Sequence, residues 1–268
     1  MATLLIPPAR GSRWESVHVD DKPHRRHVLY DETLDLERPI YRYMPAAYLL
    51  EFLRTGQFHF SSVASWPDPF EQWWHTILFA EGSPLHDARA FASCWTWRSR
   101  DERFWRLYEN RCDHRDSEGM PLGRGPPPVR IQTTLKKLID AVCQSLPAFD
   151  AKVFFAPVGY AMTEELLRYR NSLTSDPAEI AREAAHALTF KRLAFKFEKE
   201  VRVIWIDRSL EGTFRRMPLD PNAFIERVMI GPVLENEVAR AEAVRQELGK
   251  AGFQGVVQRS LIYRAPPP

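Results

Sequence analysis

Glu198-Lys199-Glu200-Val201 opens the most β-prone stretch of the chain, EVRVIWI. Side chains alternate along a strand, so Glu198 and Glu200 are expected on one side of it with their carboxylates as near neighbours. Like charges that close raise one pKa, and such a pair suits a place where a cation or a developing positive charge is held. A solvated strand edge, with Lys199 and Arg202 on the opposite face, accounts for the same residues. A second chemical group is Arg42, in the middle of the short apolar run IYRYM. Its guanidinium cannot shed its charge by deprotonation, so burial obliges it to find an anion. A core carboxylate would serve, and so would a phosphate, whose oxygens match the planar fork.

Smaller groups accompany these. Ser93-Cys94-Trp95-Thr96 places hydroxyls on an expected strand, with Ser61-Ser62 as a rival at the end of an earlier one. Such hydroxyls can bond a ligand carboxamide, orient a glutamate or satisfy their own backbone. Asp68-Pro69-Phe70-Glu71 lies beside Trp66, Trp73 and Trp74. It reads as a helix start, where acids sit well at the positive end of the dipole. Lys191, Arg192 and Lys196 precede the glutamates on an expected helix, either to neutralise them or to form a basic wall. Cys112, Asp113 and His114 share a loop, but no second ligand pair at a matching spacing accompanies them, so no metal is expected. The 12 glycines form no phosphate-cradling loop.

The elements that must position these groups begin sharply at Pro39. IYRYM is expected as a strand, AAYLLEFLRT as a helix stopped by Gly56, and QFHFSSV as a second strand. EQWWHTILFA is a helix, RAFASCWTW a strand and DERFWRLYENR a helix. Residues 112–128 are expected as a loop. VRIQTT then pairs with the helix LKKLIDAVCQSL, and AKVFFAPVGYA is a further strand. Two helices follow: TEELLRYRNSL and, behind Ser175, Asp176 and Pro177, one from Ala178 towards Phe195. EVRVIWID, RVMIGPV, the helix ENEVARAEAVRQELGKAG and FQGVVQRSLIY close the chain. The pattern is α+β: one domain over 1–268, with an irregular extension at 1–38, a core at 39–264 and a mixed or split sheet flanked by helices.

The 268 residues are 44% hydrophobic and 12% aromatic, enough for one sizeable core. Interspersed charges, 37 basic against 35 acidic, leave a formal +2 and no stripe to neutralise a nucleic-acid backbone. Three widely spaced cysteines fit neither a disulfide framework nor a paired thiolate site. MATLLIPPAR carries no basic n-region, and no run approaches membrane-spanning length. A reducing cytoplasm, without a membrane, is the expected home.

Ile40-Tyr41-Arg42, Ser93-Cys94-Trp95-Thr96 and Glu198-Lys199-Glu200, in that order among their elements, resemble the ADP-ribosyltransferase fold of the cholera-toxin type. IYRYM, FSS, DPFE, CWT and FKFEKEVRVI also resemble a widespread bacterial family of unknown function, over roughly residues 39–260. The first resemblance implies an NAD-using enzyme, a bacterial toxin or defence effector, that breaks the nicotinamide-ribose bond and modifies a protein or nucleic-acid acceptor. Glu200 would stabilise the oxocarbenium-like sugar, Glu198 would position or deprotonate the acceptor, and Arg42 would grip the cofactor phosphates. Tyr43, Ser62, Ser93 and Thr96 would line the cofactor, with Asp68, Glu71 and Lys191 at the rim. A silent nucleotide- or protein-binding module, and a metal-dependent nuclease using Asp68, Glu71 and the late glutamates, are the rival expectations.

Overall fold

A computed structural model describes residues 14–16, 28–109, 113–115, 121–124, 126–145, 151–171, 173, 176, 179–208, 212–232 and 237–263. The chain opens with β1 (Trp14–Ser16), β2 (Val28–Asp31) and β3 (Pro39–Met44). Helix α1 (Ala46–Thr55) follows and stops at Gly56, whose φ of 65° is the left-handed conformation that glycine adopts without a Cβ clash. Next come β4 (Gln57–Ser62), α2 (Pro69–Leu78), β5 (Arg89–Thr96) and α3 (Glu102–Glu109). The middle contains β6 (Asp113–Arg115), β7 (Pro121–Arg124), β8 (Val129–Thr134), α4 (Leu135–Ser145), β9 (Ala151–Pro157) and β10 (Gly159–Ala161). Helices α5 (Thr163–Arg170) and α6 (Ile180–Ala187) lead to β11 (Phe190–Arg192) and β12 (Glu200–Asp207). The last elements are β13 (Phe214–Pro218), α7 (Pro221–Phe224), β14 (Arg227–Ile230), α8 (Glu237–Lys250) and β15 (Val256–Arg259).

The fold is α+β, with mixed sheet flanked by helices, and it divides into two compact units. The first comprises residues 1–35, 59–97 and 142–217. Its strands run in the order β1-β2-β9-β12-β5, and β4 pairs with the outer side of β5. β12 is buried at every residue, as a central strand covered on both faces must be, which explains its unbroken apolar character. Against this sheet lies a core that includes Trp74, Leu85, Phe154, Ala184, Phe190 and Ile204. The second unit comprises residues 36–58, 98–141 and 218–268, with the strand order β3-β8-β14-β15. Phe52, Phe58 and Phe224 meet there at ring separations of 5.1 to 6.0 Å.

Several expectations are corrected. The supposedly irregular 1–38 contains β1 and β2, because Val28 and Leu29 are buried against β9 although their apolar run is too short to show a period. Residues 112–128, expected as a loop, contain β6 and β7. The long helix towards Phe195 ends at Ala187. Thr189 caps it by donating its hydroxyl to the His186 carbonyl at 2.6 Å, and the chain turns into β11. AKVFFAPVGYA splits at Val158, whose amide donates to the Glu200 carbonyl while that of Gly159 donates to Thr189. β13 and α7 had no counterpart in the sequence reading. Ser175 and Pro177, named there as helix caps, and Cys112 lie outside the described residues, as do the side chains of Asp113 and His114.

Candidate active site

Glu200 begins β12, and its place is fixed by backbone bonds on both sides. Its amide donates to the Tyr160 hydroxyl at 2.9 Å, and its carbonyl accepts from Val158 at 2.9 Å. Glu198 does not share the strand. It ends a 3-10 turn over Leu193–Glu198, and Lys199 between the two glutamates has φ 46°, a left-handed conformation unusual for a residue with a side chain. Two bonds to β5 hold this corner: Thr96 Oγ1 donates to the Glu198 carbonyl at 2.5 Å, and the Trp97 amide donates to that of Lys199 at 3.0 Å. The carboxylates still converge, but through a shared cation. Lys191 Nζ donates to Glu198 Oε2 at 2.6 Å and to Glu200 Oε2 at 3.1 Å.

Arg202 completes the arrangement. Alternation along β12 puts it on the same side as Glu200, so the expected placement on the opposite face is corrected. Its Nε donates to Glu200 Oε1 at 2.9 Å and its Nη2 to Glu200 Oε2 at 3.2 Å. The same guanidinium bonds Glu71 of α2 and the Leu188 carbonyl, and its carbon lies 4.2 Å from the centre of the Trp66 ring. Lys191 lies 3.9 Å from Glu71. Lys191 itself stands on β11 rather than on a helix, which is what turns it towards the glutamates.

Strand register brings β5 into the same group, because Thr96 faces Glu200 and Cys94 faces Arg202. Pairing with Arg202 puts Cys94 on the Glu200 side of the sheet. Cys94 is exposed by surface area although protein surrounds its thiol. Burial, reinforced by the Glu200 charge, pushes its thiol well above the ordinary range, so it stays protonated. Ser93 faces away, being one residue out of phase with Cys94, and is buried on the other side of β5. Ser62 is engaged locally, its hydroxyl accepting from the Ala64 amide at 3.3 Å. Asp68 caps α2 through the Phe70 amide at 3.0 Å and accepts from Arg192 at 3.0 Å with the same oxygen. Its other oxygen is buried without a partner.

The charges within this group are three carboxylates, Glu71, Glu198 and Glu200, against two cations, Lys191 and Arg202. One negative charge is left over, and the two late glutamates divide it unequally. Burial pushes Glu200 up, but Arg202 and Lys191 outweigh it and bring its pKa down to about 2. For Glu198, burial first and then the Glu200 charge outweigh Lys191 and raise it above the ordinary carboxylate range. Desolvation acts against Lys191 too, yet the charges of Glu200, Glu71 and Glu198 hold it firmly protonated.

Arg42 and Tyr43 belong to the second unit. The Arg42 guanidinium lies 5.0 Å from the Phe58 ring centre. Tyr43 points to the other face of β3, stacked on Phe104 at 5.0 Å and edge-on to Trp105 at 4.7 Å, and its hydroxyl donates to the Arg98 carbonyl at 3.3 Å. Sequence reasoning missed Arg202 and Cys94 as members of the glutamate group. Extending the period-two alternation from Glu200 by one step, and across to the paired strand, would have found both.

Among the described residues no group of three His, Cys, Asp or Glu side chains is arranged to hold a metal ion, and no helix is long and apolar enough to cross a membrane. No family model matches the chain and no curated protein does, so the resemblance to a widespread bacterial family rests on its quoted motifs alone. Among solved structures, the chain is similar to Thermus sp. 2.9 DarT in complex with NAD+, at 16% identity and a TM-score of 0.36 over 85% of this chain and 98% of that one. The complex of the same protein with carba-NAD+ gives 14%, 0.37, 85% and 97%, and that with ADP-ribosylated ssDNA gives 14%, 0.34, 84% and 94%.

Proposed function

We propose that the chain is an NAD+-cleaving, ADP-ribosyltransferase-like enzyme whose chemistry is carried by Glu200 and Glu198. The observation that supports this reading most is the division of labour between the two carboxylates. Their environments push their pKa values apart, which is the arrangement by which paired carboxylates take separate acid-base and electrostatic roles. Glu200 remains ionised at all working pH values. The surplus negative charge of the group suits a positive centre, such as the sugar of NAD+ as the nicotinamide departs with the electrons of the bond. Glu198, more basic and less tightly held, accepts the proton of the water or acceptor hydroxyl that adds to the sugar carbon. Thr96 and Tyr160 act as positioning residues, since each bonds the backbone that aims a glutamate. The protonated Cys94 takes no nucleophilic part.

The metal-dependent nuclease reading is weaker, because the carboxylates it would draw on already accept from Arg202, Lys191 and Arg192. The silent module finds support in the same bonds, which satisfy both Glu200 oxygens. Nicotinamide release from NAD+ by the purified protein separates these readings, with a single-stranded oligonucleotide and a mixture of proteins offered in turn as acceptors. Release that falls about a hundredfold in Glu198→Gln, without loss of folding, supports the enzyme. No release under any acceptor leaves the binding module.

A further inference from the structure

Arg130 lies in β8, within the second unit, and is only 4% exposed. Strand pairing sets Tyr43 beside it on β3 and Met229 on β14. Tyr41, Gln132 and Arg227 lie two residues along on the same face. The guanidinium carbon is 4.6 Å from the Tyr41 ring centre and 6.0 Å from that of Tyr43. No carboxylate answers it: among the described residues it makes no ion pair or hydrogen bond, and its Nε is buried without a partner.

Three acids of this unit hold other groups. Asp101 holds Arg103 at 2.9 and 2.5 Å, Glu102 holds Arg106 and the Tyr263 hydroxyl, and Glu226 pairs with Lys137 at 2.7 Å. Two other cations also act on Arg130. Burial chiefly, and then Arg227 and Arg100, hold its guanidinium below its usual value against the favourable influence of the two tyrosines. A buried guanidinium that cannot deprotonate and has no anion is costly, and two more arginines make the deficit larger.

We propose that Arg130, with Tyr41 and Arg227, forms a phosphate-binding site. A phosphate offers several oxygens to a planar fork and more than one negative charge to a cluster of cations, which a single carboxylate does not. The stacked tyrosines hold the guanidinium plane fixed, so little side-chain freedom is lost on binding. A free nucleotide and the backbone of a single strand both carry this chemistry, and the titration distinguishes them. Nothing in this site draws on the glutamates, and nicotinamide release is not its readout, so the two proposals fail separately.

The test is thermal melting and calorimetric titration of the full-length protein with inorganic phosphate, pyrophosphate, NAD+ and a short single-stranded DNA, at an ionic strength matched with chloride. Phosphate or pyrophosphate raises the wild-type Tm by about 5 °C near a hundredfold excess over Kd. Arg130→Met removes that gain, weakens binding at least about tenfold, and melts no lower than wild type when phosphate is absent. Should that variant fail to fold, Arg130→Lys, which keeps the charge and loses the fork, weakens binding likewise. A gain dependent on Arg130 with NAD+ alone identifies a nucleotide, and one with DNA alone a strand backbone. A wild type that gains nothing over chloride overturns the site. So does an Arg130→Met protein that melts lower and keeps the full phosphate gain, since the arginine would then serve only to stack on the tyrosines.

Discussion

Arg202 and Arg130 are both buried arginines in the middle of β-strands, and their surroundings are opposite. Arg202 meets two carboxylates, a backbone carbonyl and an indole face. Among the described residues Arg130 meets two tyrosine rings and no acid. The first is part of a finished network, in which each desolvated charge has partners. The second has an unmet demand for an anion. Burial of charge alone therefore does not mark a binding site; what marks one is burial that no partner among the described residues compensates.

The largest effect expected from this contrast is on stability. Arg202→Met strands Glu71 and Glu200 with Lys191 as their one shared cation, and breaking a buried pair from one side costs about 3–5 kcal/mol. Arg130→Met removes a charge that had no partner and costs little or nothing when phosphate is absent. Chemical denaturation of the two variants, side by side, checks the difference. Equal losses would erase the distinction between them.

Acid pH sharpens the comparison further within the first unit. His186 is buried, its Nδ1 bonded to the Tyr169 hydroxyl at 2.8 Å, and burial lowers its pKa to about 4 from an ordinary 6.5. The folded state thus disfavours the charged ring. Its contribution is whole above pH 6.5 and is lost as pH falls towards 4, by about 3 kcal/mol. Glu200, also depressed, acts in the same direction but later, between its ordinary value of 4.5 and about 2. Melting temperature against pH should fall in two stages, and His186→Phe should remove the earlier one. A single stage in wild type would show that the ring is not held neutral.

How much of this was legible in the sequence depends on how far each rule was carried. IYRYM, VRIQTT and the Gly56 stop were readable because apolar patterning and a left-handed glycine are local signals. The expectation that a guanidinium in an apolar strand needs an anion was applied to Arg42, and it holds with equal force for Arg130 in VRIQTT. Lys191 could not be placed, since a helix-prone run through Ala187 gives no warning that Thr189 ends it. Glu198 reached the group by a turn at Lys199 that no pattern announces. Val28 and Leu29 were invisible because their strand is made by its neighbour β9, not by its own period.

Smaller effects test the supports. Asp68→Ala removes the α2 cap and the partly exposed bridge to Arg192, for a loss of about 1–2 kcal/mol in which the cap dominates. Asp68→Asn keeps the cap and should lose less. Thr96→Val deletes one hydrogen bond to the Glu198 carbonyl, about 1 kcal/mol, and should lower kcat more than it raises KM if that bond aims Glu198.

The central claim is that the Glu200 charge drives cleavage of the nicotinamide-ribose bond. Its most direct measurement is the rate of nicotinamide release from NAD+ by wild type and Glu200→Gln, at a temperature well below both melting points. The amide keeps the shape and one oxygen to accept from Arg202 while losing the charge, so release should fall by at least about a hundredfold with NAD+ affinity little changed. A folded Glu200→Gln protein that releases nicotinamide at the wild-type rate would contradict it.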